Sequence, residues 1–204
     1  MNRLEIAQDV NTLAGTQGTI DTTESITGYQ AVLLKAVDKA YKDIQLYRND
    51  WDFMKLEADI PLTTLVKTYS NVDIAKVDKI IYDQKIIDRV EYADWILRDH
   101  DTGTPREYTV NRATGLITFN TLDASYQPKL HYYRNPNKMT VNGSIPIVPL
   151  RYHDAITYKA LMILGTYLGN YDLISEYSVQ FAILMGAMMR DYVPSRSFIT
   201  QPLV

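Results

Sequence analysis

Residues 27–54 read TGYQAVLLKAVDKAYKDIQLYRNDWDFM. Within them Tyr29, Leu33, Ala36, Val37, Ala40, Ile44, Tyr47 and Trp51 recur three or four residues apart, which places them on one face of a helix. Lys35, Asp38, Lys39, Lys42, Asp43 and Arg48 fall on the other face. Asp38 precedes Lys42 by four residues, the favourable order for an exposed ion pair. Thr27 or Ser25 offers a side-chain oxygen to the orphan backbone N–H groups at the helix start. From Trp51-Asp52-Phe53-Met54 onward the periodicity changes to alternation, so the helix leads directly into a β region.

Upstream, Asn2 to Leu13 reads as a short amphipathic helix with Ile6, Val10 and Leu13 on its apolar stripe. Gly15 suits the left-handed position after its end, and TQGTIDTTES is a loop. Downstream, about Asp52 to Leu130, short strands are separated by turn signals. Leu56, Ala58, Ile60 and Leu62 alternate. Leu65–Tyr69 and Lys79–Tyr82 are further strand candidates, and Trp95 and Leu97 alternate around Ile96. The clearest hairpin is YTVNRATGLITF, with Tyr108 and Val110 leading in, Ile117 and Phe119 leading out, and Gly115 closing the loop. KLHYYR is the last strand before the breaker Asn135-Pro136-Asn137.

MTVNGSIPIVPL is an extended connector, because Pro146 and Pro149 forbid a helix through it. A second helix starts near Leu150 with Tyr152, Ala155, Ile156, Ala160, Ile163 and Tyr167 in phase and Leu161, Met162 and Leu164 beside them. Such an all-round apolar helix is buried on several sides. A third, from about Asp172 to Tyr192, aligns Ile174, Tyr177, Phe181, Leu184, Met188 and Tyr192. The expected fold is α+β: an antiparallel bundle of three to four helices (1–54 and 145–192), an inserted small antiparallel β sandwich or barrel (55–134), and an extended C-terminal arm (193–204).

The 204 residues are 46% apolar and 22% charged with a net charge of −3, which suits a folded chain and argues against a surface that grips nucleic acid. There is no cysteine, so disulfides and thiolate chemistry are excluded. MNRLEIAQDV lacks the apolar core of a secretory signal, and no apolar run is long enough for a bilayer. Sixteen tyrosines point equally to half-buried strands and to a broad protein–protein surface. His100, His131 and His153 are scattered and match no metal motif. No nucleophile elbow or phosphate loop occurs. No catalytic, cofactor or metal residue is therefore expected.

The order of these segments resembles the head-to-tail adaptors of tailed bacteriophages, including the tail accessory factors of short-tailed phages. The resemblance lies in Val37, Ala40, Tyr41, Asp43, Ile44 and Gln45, then Asp50, Trp51 and Phe53. It continues in the β insertion GTPREYTVNRATGLITFNTLDASYQPKLHYYRNP and in Ile147, Pro149, Tyr152, His153 and Ala155 at the start of the second helical block. It implies a structural virion protein, not an enzyme. The chain would form a ring, usually twelve-fold, beneath the portal and join it to the next tail or neck protein. DNA would pass through the lumen without membrane contact. By the same resemblance the segment from Arg190 docks on the portal, through Tyr192, Arg196, Phe198, Ile199, Leu203 and Val204. Alternatives are another neck part, such as a stopper or tail terminator, and a peptidoglycan-hydrolysing tail accessory protein.

Overall fold

The computed structural model describes residues 1–16, 19–24, 26–71 and 73–193. The fold is mixed α+β. Among the described residues the helices are α1 (Arg3–Leu13), α2 (Gly28–Leu46), α3 (Tyr92–Trp95), α4 (His153–Leu168) and α5 (Tyr171–Tyr192). The strands are β1 (Lys55–Asp59), β2 (Thr68–Tyr69), β3 (Ile74–Tyr82), β4 (Lys85–Ile86), β5 (Asp88–Arg89), β6 (Glu107–Val110), β7 (Ile117–Phe119) and β8 (Lys129–Arg134). The chain divides into two compact units, Met1–Phe53 with Pro136–Val204, and Met54–Asn135.

In the helical unit α4 packs against α1, α2 and α5. Its sequence explains this, since Ala155, Ile156, Ala160, Leu161 and Leu164 are all buried. Tyr167, expected on the same apolar face, is 67% exposed because it lies in the last turn, beyond the packed part of α4. Gly165 sets how closely the next helix follows. A Cβ there would lie 2.9 Å from the Asn170 carbonyl oxygen and 3.0 Å from Ile174, so only glycine admits the tight turn into α5.

Helix α1 starts with a reciprocal cap: Asn2 accepts from the Glu5 amide at 3.0 Å and Glu5 accepts from the Asn2 amide at 2.8 Å. Leu13, expected on its apolar stripe, is exposed. Helix α2 buries Leu33, Ala36, Val37, Ala40 and Ile44 as its periodicity predicts, while Tyr47 is 57% exposed. The helix stops at Leu46. Trp51, beyond its end, is fully buried and its indole N–H donates to the Ile44 carbonyl at 3.1 Å, a second bond on an oxygen that also accepts from the Tyr47 amide at 3.3 Å. Thr27 occupies the N-cap position without a side-chain cap bond.

The expected Asp38–Lys42 pair does not form. Asp38 instead takes the Arg3 guanidinium in two bonds, of 2.7 and 3.2 Å. Arg3 also donates to Thr23 Oγ1 and the Thr140 carbonyl. A fork-shaped contact on a half-buried carboxylate outcompetes a single exposed lysine contact.

The other unit holds two four-stranded sheets, in the orders β1-β8-β3-β4 and β2-β7-β6-β5. Val77, Ile80, Leu130 and Tyr132 from the first share one core with Tyr108, Ile117 and Phe119 from the second. The predicted hairpin pairs Tyr108 with Phe119 and Val110 with Ile117. Gly115 adopts φ +71°, and its amide donates to the Asn111 carbonyl at 2.8 Å. Three expectations need correction. β5 runs parallel to β6, so the insertion is not wholly antiparallel. Trp95 ends a short helix instead of alternating along a strand, leaving Ile96 and Leu97 exposed. Leu65 is exposed, and the strand there is only Thr68–Tyr69. In β3 a register shift between Val77 and Lys79 explains how Val77 and Ile80, three residues apart, both face the core.

Candidate functional site

The residues that carry the family resemblance act first as architecture. Tyr41 and Gln45, one turn apart on α2, grip Asn137, where the chain returns to the helical unit. The Tyr41 hydroxyl donates to the Asn137 side-chain oxygen and accepts from the Ile147 amide at 3.0 Å. Gln45 donates to the Asn137 carbonyl at 3.2 Å and accepts from its amide at 3.0 Å. His153 is buried and its Nε2–H donates to the Val148 carbonyl at 2.8 Å, fixing the residues just before α4. Burial pushes the His153 pKa below its ordinary value.

At the C-terminal end of α5 these same segments meet. Tyr192 is half-buried, its ring edge-on to Phe53 at 5.9 Å and to Tyr152 at 6.0 Å. Phe53 stacks on Trp51 at 5.3 Å. The Arg151 guanidinium lies 4.9 Å from the Tyr152 ring centre and 5.5 Å from that of Tyr192, and it pairs with Asp191. The Tyr152 hydroxyl donates to Asp191 at 2.6 Å. Burial, then this bond, raises the Tyr152 pKa, so the hydroxyl stays a donor at neutral pH. Edge-on rings, a cation over their faces and a charge-assisted hydrogen bond combine to hold the last turn of α5.

Of the six docking candidates, Tyr192 belongs to this cluster. Arg196, Phe198, Ile199, Leu203 and Val204 lie outside the described residues. The Arg151–Asp191 pair escaped sequence reasoning because forty residues separate its members. Tyr152 and Phe53 carried a signal, as both stand in the motifs quoted above.

Elsewhere the polar groups serve packing. His100 stacks on Trp95 at 3.8 Å, and His131 pairs with Glu57 at 3.0 Å. A cavity of about 600 Å³ is lined by Arg98, His100, Arg106, Glu107 and Asn120 among others. Asn120 is buried there with both its oxygen and its amide bonded to backbone, including Arg106 at 3.0 Å and Thr104 at 3.0 Å. Asp9 has its pKa raised by burial and by the charges of Asp154 and Glu5. Among the described residues no group of His, Asp and Glu could hold a metal ion, and no helix is long and apolar enough to cross a membrane.

At the end of α5, aromatic rings and an ion pair from three segments of the helical unit converge on Tyr192. The sequence matches the SU10 adaptor protein family over residues 1–200, and the chain belongs to that family. It is thus a structural adaptor of a tailed phage, a component of the head–tail region of the virion, and not a member of a known enzyme family. No curated protein matches the sequence.

Proposed function

We propose that the protein is the head-to-tail adaptor that binds beneath the portal, forms a ring there, and joins the portal to the next tail or neck protein while DNA passes through the lumen. Membership of the adaptor family over residues 1–200 is the observation that carries this reading. Twelve copies per ring is the number the family resemblance implies. The net charge of −3 supports a channel that does not retain DNA, since a basic lumen would hold phosphates with strong, salt-dependent affinity.

The portal contact belongs to the chain from Tyr192 onward, with Arg196, Phe198, Ile199, Leu203 and Val204 as its docking residues. The Phe53–Tyr152–Tyr192–Arg151 cluster supports this by fixing the point from which that segment departs. An apolar segment of this kind suits insertion into a groove on a partner. The test is truncation after Val193, which keeps Asp191 and Tyr192 in place. The truncated protein should remain folded by circular dichroism and lose attachment to purified portal rings. Undiminished attachment would contradict the docking assignment.

A further inference from the structure

Two exposed strips on the helical unit have opposite character. On α2, Lys35, Lys39, Lys42 and Leu46 stand at spacings of four, three and four, all exposed, with Leu46 at 58%. On α5, Asp172, Glu176, Val179 and Ile183 stand at the same spacings, also exposed, with Ile183 at 60%. Each strip spans twelve residues, or about 16 Å of helix from first to last. Asp38, an acid on the same helix, is held by Arg3, and Asp43 forms no ion pair with these lysines among the described residues. None of Lys35, Lys39, Lys42, Asp172 and Glu176 forms an ion pair among the described residues. Both helices pack on α4.

From this complementarity we infer that the α2 strip of one copy of this chain docks on the α5 strip of the next. The helices run parallel across the contact, with lysines against Asp172 and Glu176, and Leu46 against Val179 and Ile183. Tyr47, 57% exposed beside Leu46, adds area to the apolar end. Because the two strips differ, the interface is heterologous: each copy offers one strip to each neighbour, and repetition closes a ring or continues as a filament. Charge sets the register and the apolar end contributes the desolvated contact. The inference rests on the adaptor reading and specifies its lateral interface.

The chain has no cysteine, so engineered thiols report this contact without background. Full-length Leu46→Cys and Ile183→Cys variants are oxidised separately and as an equimolar mixture. Disulfide heterodimer in the mixture should form at least about tenfold faster than homodimer in either variant alone, since identical strips repel or fail to match. The doubly substituted chain should give a ladder of oligomers. Equal rates in all three samples, or faster homodimer, would overturn the inference. Attachment of the unmodified chain to portal rings, measured in parallel, separates the two readings. Attachment without selective cross-linking removes only this interface, whereas loss of both removes the adaptor reading as well.

Discussion

Trp51 shows how one side chain joins two levels of structure. Its position fits the periodicity of α2, yet the helix ends five residues earlier, and the indole folds back to bond the Ile44 carbonyl. Trp51→Ala removes a fully buried side chain and that bond, and should destabilise the helical unit by about 3–5 kcal/mol in chemical unfolding. A loss within the noise of a surface substitution would show that the residue is not a core element. His153 gives a pH dependence of defined sign. Its folded pKa is depressed by burial, so its contribution to stability is full above the ordinary value of about 6.5 and is lost as pH falls below it, because the unfolded chain takes up the proton first. The thermal midpoint should therefore drop less between about pH 7 and 5 in His153→Gln than in the parent; equal drops would refute the claim. At this scale the sequence located the buried residues of α2 well. It misassigned the Asp38 partner, because periodicity sees neighbours along a helix and not an arginine thirty-five residues away.

Elements were legible where local chemistry and tertiary packing agree. The Tyr108–Phe119 hairpin combined alternation with a glycine at positive φ, and both features survive in the structure. The β3–β4 hairpin was hidden for the opposite reason. Its turn residues, Asp83 at φ +47° and Gln84 at φ +61°, lack the glycine or asparagine that usually marks such a turn. Gln84→Gly should relieve the left-handed strain and stabilise the β unit by about 1 kcal/mol; a decrease in stability would mean that the glutamine side chain makes an essential contact. Likewise, Trp95 and Leu97 suggested alternation, but the intervening turn is helical and exposes Leu97. Short apolar runs do not distinguish a strand from a helical turn by period alone.

At the scale of the molecule, composition limited the possibilities to a folded chain without thiol chemistry, periodicity made it α+β, and the ordered motifs pointed to the adaptor family. The motif residues themselves proved to be architectural. Tyr41 and Gln45 hold the return of the chain at Asn137, and Tyr152 with Phe53 braces the end of α5. The likeness was readable because the motif residues lie close together in sequence, whereas the contacts they make, such as Tyr41 with Asn137 and Phe53 with Tyr192, join residues far apart along the chain. The most direct test of the adaptor account is the mass of the purified protein, alone and mixed with the portal ring of its phage. The account predicts a discrete complex carrying multiple copies per portal ring. A protein that stays monomeric in the presence of the portal ring would contradict it.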